Sequence, residues 1–441
     1  MKNKPLNNFR ISDFINKEAY GGIILIIATI AALIWANSAY YDSYHYLWHE
    51  LKVGYVWGDI NMVGSLHHWI NDGLMALFFF TIGLEIKREI MGGELSSMKK
   101  ASLPIAAAVG GMFIPAIIYA VVLVNHPEYL HGWGIPMATD IAFALGLLAL
   151  LGKRVNINLK IFLTALAIAD DLGAVMVIAV FYTDTIDLSQ LISAGLAIGI
   201  LVIANFAGVR KVGIYAVIGF IGVWMSFIFS GVHATIAGVL IALTIPARRK
   251  ISEKEYLQKL SEYVGKFTKA PKSDNALLTA DQAHLIADIE VINEKVQTPL
   301  QKLEHALHPI TAFFILPLFA LSNAGVHIEG SVIDMLLHPI SLGIIAGLVL
   351  GKFLGISILS RLTVWLKIAS LPEGVSWKQI YGVAFLAGIG FTMSMLISDL
   401  AFVVDEDKQI AKVGIMAASL ISATIGMIWL SAGTKKPEPD Q

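Results

Sequence analysis

Twelve apolar runs punctuate the chain, over residues 20–35, 66–84, 103–124, 134–151, 159–182, 189–207, 212–229, 231–245, 310–326, 340–360, 379–400 and 410–432. About 20 apolar residues form a helix that crosses a bilayer, and inside lipid the backbone has few other ways to satisfy its polar groups. The expectation is an all-α polytopic membrane protein with twelve transmembrane helices in a single membrane domain. Composition agrees, since 441 residues with 56% hydrophobic and 15% charged content fall well short of the roughly 25% charge of soluble domains. The first run, followed by Ala36-Asn37-Ser38-Ala39, has the outline of a signal peptide with a small-residue cleavage site. Eleven further runs follow it, so it reads as a retained span.

Charge placement tests the count, because Lys and Arg collect in cytoplasmic segments. With the N-terminus inside, 28 of the 32 Lys and Arg residues fall in inside segments, ten of them in 246–309, while the outside loops hold only Lys52 and Lys408. Lys352 and Lys412 lie within spans. Merging 212–229 with the short run 231–245 would invert the later segments and place those ten charges outside. Twelve spans with both termini cytoplasmic follow. The net charge of −1 gives no basic surface for nucleic acid, and the absence of cysteine excludes thiol chemistry and thiolate metal sites.

The one long hydrophilic stretch, 246–309, carries two capping-box patterns, Ser252 to Glu255 and Thr279 to Gln282. Leu257, Leu260, Val264 and Phe267, and then Ile286, Ile289, Ile292, Val296, Leu300 and Leu303, recur at helical spacing. Two amphipathic cytoplasmic helices split near 269–274 are expected, as a solvated hairpin packed on the membrane domain in preference to a regulatory module.

Four ionisable residues stand within apolar runs: Asp140, the adjacent Asp170 and Asp171, and Lys352. A charge at mid-span costs about 2.5–3.5 kcal/mol on insertion scales, so such residues face a cavity or a partner. Asp170 and Lys352 both lie near the middle of their spans, close enough in depth to meet. Adjacent carboxylates point about 100° apart on a helix, yet both can border a cavity. Crowded together in low dielectric they hold protons or a small hard cation, not both, which is the physical core of cation/proton exchange. A purely structural salt bridge to Lys352 accounts for at most one of three carboxylates. Lys352 itself fits a counter-ion, a proton carrier or both.

Two runs carry interruptions. Ile135-Pro136-Met137-Ala138-Thr139-Asp140 sets a proline just before a membrane acid, and Gly388-Ile389-Gly390-Phe391-Thr392-Met393-Ser394 sets two glycines and two hydroxyls at mid-span. Spans 3–5 and 10–12 run in opposite senses, so the broken fourth and eleventh spans are the middle members of two inverted three-helix units, a transporter pattern. Half-helix ends leave dipoles to be compensated, and Asp140 and Lys352 are the available charges. At the end of the second span stand Glu85, Lys87, Arg88 and Glu89, readable as a positive-inside anchor or as a proton-sensing cluster; Asp72 lies in the same span. His233 suits sensing or hydrogen-bonded packing equally.

The chain resembles the NhaA-type sodium/proton antiporters of bacteria. The resemblance rests on Asn71-Asp72-Gly73-Leu74-Met75-Ala76 leading to Gly83-Leu84-Glu85-Ile86-Lys87-Arg88-Glu89, on Ala138 to Gly146 around Thr139-Asp140, on Ala169 to Ala174 around Asp170-Asp171, on Gly231-Val232-His233-Ala234-Thr235, and on Gly390 to Ser394. It covers all twelve spans, with most of 246–300 as an insertion, and Asp399 is an acid outside the pattern. The resemblance implies that Asp170 and Asp171 carry Na⁺ and protons, with Asp171 the more direct cation ligand. It implies that Asp140, Lys352 and Thr139 serve the crossed broken helices, Lys352 also pairing with Asp170 when protons are loaded. Glu85, Arg88 and Glu89 match a cytoplasmic pH-sensing cluster, and His233 a residue tied to pH response. Implied too are electrogenic extrusion of Na⁺ or Li⁺ by inward proton movement, internal pH regulation, residence in a bacterial inner membrane, no cofactor, and a homodimer through 37–65.

Rival readings fit less well. An intramembrane aspartyl protease needs Gly-x-Gly-Asp, but Gly388-Ile389-Gly390 leads into Phe391. A nucleotide-driven pump would need a P-loop, and Gly347 to Phe353 has the wrong spacing and ends in Phe. A cation channel would share the acids without proton coupling.

Overall fold

The computed structural model describes residues 6–57, 60–183, 186–271, 277–328 and 330–433. The charged segments 1–18 and 433–441 that set the expected orientation lie partly outside them, as do residues 272–274 of the expected break. Among the described residues, eight helices are long and apolar enough to cross a membrane: α2 (Leu66–Gly92), α3 (Met98–Val122), α5 (Ile157–Phe181), α6 (Leu188–Phe206), α7 (Val212–Ser230), α11 (Pro299–Asn323), α12 (Pro339–Trp365) and α15 (Asp405–Gly433). Two further pairs are bent: a 3₁₀ segment, Pro127–Met137, with α4 (Ile141–Leu150) at 48°, and α13 (Trp377–Leu386) with α14 (Phe391–Ala401) at 45°. Shorter apolar helices are Tyr20–Ala36, the end of α1 (Leu6–Ala36), and α8 (Ala234–Thr244). The protein is a multi-pass, predominantly helical membrane protein.

Local chemistry explains the breaks. Gly231 takes φ +79°, a conformation that suits glycine, and so ends α7 before α8. α8 fits close against α2 because a Cβ on Gly83 would stand 2.7 Å from Ala242 Cβ. The ninth apolar run was expected from 310, whereas α11 starts eleven residues earlier, at Pro299. Thr298 caps it by accepting from Gln301 N at 3.2 Å, and proline suits the first turn. The polar stretch does form two helices, α9 (Glu253–Lys269) and α10 (Ala280–Val296), joined by Tyr256 Oη donating to Asn293 Oδ1 at 2.9 Å. Thr279 and Gln282 complete a capping box, and the Ser252 side chain accepts from Glu255 N. The apolar stripe of α9 is not buried as expected, since Leu257 and Val264 stay exposed while Ile292 of α10 is covered.

The spans pack as two blocks bridged by α1, which lies against α4 of one and α11 of the other. α3, the two bent pairs, α5, α12 and α15 pack among themselves; α2 packs with α8 and α11, and α6 with α7 and α8. α3 and α12 cross closely at Gly110 and Gly355, where a Cβ on either would strike the other's carbonyl oxygen; such small-residue contacts let membrane helices approach. A two-stranded antiparallel hairpin, β1 (Lys52–Trp57) and β2 (Ile60–Ser65), stands before α2.

Candidate functional site

The bent pairs meet end to end at their breaks, and each satisfies the other's loose backbone. Asp140, the cap of α4, accepts from Phe143 N at 3.0 Å, and its other oxygen accepts from Thr392 N at 3.1 Å and Thr392 Oγ1 at 2.7 Å in the first turn of α14. In return Asp140 N donates to Ile389 O at 2.6 Å and Thr139 Oγ1 to Ala387 O at 2.8 Å. Ser394 Oγ donates to Ile135 O at 2.7 Å, and the Lys352 ammonium to Met137 O. A helix N-terminus acts as about half a positive charge, so two of them balance one buried Asp140 carboxylate. The C-terminus of α13 thus receives a hydroxyl and an amide, while the Lys352 ammonium serves the end of the 3₁₀ segment at Met137.

Lys352 follows a wider, π-type turn at Ala346–Gly351 in α12, where Gly347 and Gly351 allow close approach to Pro136 and Pro115. That places its ammonium, fully buried, between Met137 O and Asp170 Oδ2, the latter at 2.6 Å. The neighbouring acid is treated differently. Asp171 is 1% exposed, and neither of its carboxylate oxygens accepts a hydrogen bond from the protein. Asp140 is balanced by dipoles and Asp170 by Lys352, which leaves Asp171 as the uncompensated acid.

Asp171 lines a funnel of about 860 Å³ between the two blocks, together with Asp140, Thr392, Thr81, Thr164 and Thr311; Asp170 and Lys352 lie behind the wall. Glu85, Arg88, Glu304 and His308 line the same funnel. Arg88 joins two acids, Glu89 at 2.8 Å and Glu304. Lys87 departs from this group and caps α8, donating to Leu243 O at 2.7 Å and Ile245 O at 2.5 Å. Asp72 and His233 lie apart from the funnel: Asp72 Oδ2 is 3.1 Å from His68 Nδ1, and His233 Nε2 is 2.6 Å from Tyr182 O. Among the described residues no group of three or more His, Cys, Asp and Glu gathers as a metal centre. The funnel offers hard oxygen donors, which suit alkali cations as passing cargo.

The sequence reading missed Glu304 and His308 because it placed both in a hydrophilic segment ahead of the span. A Thr-Pro start signal at Thr298-Pro299 could have extended the helix and put Glu304 on it.

The family model described as Na⁺/H⁺ antiporter 1 matches residues 12–430. The chain belongs to this family. Na⁺/H⁺ antiporter relatives match it nearly end to end. The Na⁺/H⁺ antiporter NhaA of Oleidesulfovibrio alaskensis is 47% identical over 426 residues, 96% of this chain and 94% of that protein. The Na⁺/H⁺ antiporter NhaA 1 of Psychromonas ingrahamii is 49% identical over 421 residues, 95% of each. That of Acidithiobacillus ferrooxidans, named Na⁺/H⁺ antiporter NhaA, is 48% identical over 426 residues, 96% of this chain and 97% of that protein. The Na⁺/H⁺ antiporter family is one of transporters and not of proteases.

Proposed function

We propose that the chain exchanges Na⁺, and Li⁺ by the same donor chemistry, for protons by alternating access, with Asp170 and Asp171 as the carriers. The observation that carries this reading is the Asp171 carboxylate, buried at the funnel with both oxygens unpartnered. An ionised carboxylate so placed is costly, and either a proton or a small cation relieves it, so the two compete. Na⁺ enters past Glu85, Arg88 and Glu304 and displaces the protons of the pair, one from Asp171 and one held between Asp170 and Lys352, as Asp170 turns from Lys352 to the cation. The blocks then rearrange, Na⁺ leaves on the other side, and protons reload the pair. Asp140, Thr139 and Lys352 keep the half-helix ends compensated, while Glu85, Arg88, Glu89 and His233 tune the response to pH and so to internal pH regulation.

Eight long helices, two bent pairs and two shorter apolar helices support twelve crossings, and the two oppositely placed bent pairs support inverted repeats. The distribution of Lys and Arg supports cytoplasmic termini in a bacterial inner membrane, with 246–309 as a cytoplasmic helical insertion. Proton movement exceeding sodium movement makes the exchange electrogenic. The hairpin of β1 and β2 exposes the apolar side chains of Val53, Tyr55, Val56 and Val63, a surface that supports a homodimer through 37–65.

The test is the proton gradient of everted membrane vesicles, followed with a pH dye on adding Na⁺, Li⁺ or K⁺. Na⁺ should collapse the gradient with the wild type and fail to do so with Asp171→Asn. A wild type silent to Na⁺ and Li⁺ between about pH 6.5 and 8.5, the range in which a buried carboxyl can be poised, sinks the proposal.

A further inference from the structure

A second buried ion pair joins α14 to α15. Lys412 Nζ of α15 is 2.9 Å from Asp399 Oδ1 of α14, and both side chains are about nine-tenths covered. The other Asp399 oxygen faces α2: Asn71 Nδ2 donates to Oδ2 at 3.2 Å, and His67 Nε2 stands 3.4 Å from it. Asn323 of α11 extends the group by donating to Asn71 Oδ1 at 3.0 Å, and His67 Nδ1 is 3.0 Å from Ser322 Oγ. Nothing in the exchange reading uses these residues.

Their place is set by three helices that also line the funnel. On α2, Asn71 precedes Glu85 by fourteen residues, about 21 Å of helix. On α11, Asn323 follows Thr311 by twelve, and on α14, Asp399 follows Thr392 by seven, about 10 Å. The funnel therefore opens between the blocks on the Glu85 side, and the Asp399 group joins the same two blocks beyond the site. Asp399 and Lys412 belong to one block, His67, Asn71 and Asn323 to the other. Apolar faces slide past one another, whereas a buried carboxylate bonded across the seam holds the seam shut until its donors are replaced by water.

We propose that Asp399, fixed by Lys412, and the His67–Asn71 face of α2 form a latch that closes the far end of the ion path. The latch opens to release the cation and closes again for the return. The proposal rests on the exchange reading above. Lys412 stays with Asp399 throughout and keeps it aimed, so that opening separates Asp399 only from Asn71 and His67.

The natural absence of cysteine permits a clean trap. In the double variant Asn71→Cys with Asp399→Cys, reconstituted in proteoliposomes, oxidation should lower Na⁺-driven proton exchange by more than about tenfold, the order of effect of a lost state that must be populated in each cycle. Dithiothreitol should restore it, and the exchange of each single variant, whatever its level, should be unmoved by oxidation. Cross-linked protein that exchanges as fast as the reduced form overturns the latch. The swap Asp399→Lys with Lys412→Asp keeps a buried pair but turns an ammonium toward Asn71 and His67. It should lower the apparent KM for Na⁺ at the latch side and raise it at the funnel side, each about threefold, as a shift between two states requires. Unchanged or parallel KM values overturn the proposal. Lack of Na⁺-driven proton movement in the wild type would remove the exchange reading instead, while exchange that persists through the cross-link removes the latch alone.

Discussion

One Asp140 oxygen accepts two hydrogen bonds from Thr392, from the amide at 3.1 Å and the hydroxyl at 2.7 Å, while the other accepts from Phe143 N. A single carboxylate thus caps two half-helices from distant parts of the chain. This shared cap locks the two breaks together and leaves Asp140 neutralised without a counter-ion, which frees Lys352 for Asp170.

The shared cap should be visible in stability. Asp140→Ala removes both N-terminal caps at once, and each is worth about 1 kcal/mol, so thermal unfolding in detergent should fall by more than for Thr392→Val, which loses one hydroxyl donor. Equal losses would mean that the second cap contributes nothing.

The adjacent acids should separate by stability and transport. Asp170→Asn leaves the Lys352 ammonium buried and half-partnered, at a cost of about 3–5 kcal/mol, and the restoring change is Lys352→Met on the same background. Asp171→Asn removes an unpartnered charge and should stay within about 1 kcal/mol of the wild type in thermal unfolding while abolishing Na⁺-driven proton movement. Comparable destabilisation by both would contradict their different surroundings.

Glu304 shares the funnel with Asp171 and pairs with Arg88. Glu304→Gln removes one negative charge from the mouth, so local Na⁺ and H⁺ are both less enriched. Protons then leave the carriers more readily, and the activity profile should move toward acid by about half a pH unit, the size of one partly screened charge. The KM for Na⁺ should rise at the same time. Both shifts should shrink at high ionic strength, measured with an inert salt.

The crossing of α3 and α12 should tolerate no methyl. Gly110→Ala or Gly355→Ala drives a Cβ into the opposing carbonyl, and each should lower the unfolding temperature and exchange together, since α12 carries Lys352. Gly195→Ala, on α6 with nothing within 4 Å of the added Cβ, should have little effect on either.

Much of this protein was legible in its sequence, because a bilayer imposes a length and a polarity that each span must meet locally. The apolar runs, the irregular segments around Pro136 and Gly388–Gly390 and the misplaced acids follow from that rule alone, as does a depth at which Asp170 and Lys352 could meet. The sequence could not divide labour between Asp170 and Asp171, which differ by one position, because only the approach of α12 decides which of them Lys352 reaches. It could not join Glu304 to Arg88 or Asp399 to Lys412 and Asn71, since those contacts span 216 and 328 residues for Arg88–Glu304 and Asn71–Asp399 and depend on how the blocks pack. Periodicity records which side of a helix avoids water or lipid; which charge lies opposite which is a property of the assembled bundle, where low dielectric turns a pairing of a few ångströms into the difference between a strut and a carrier.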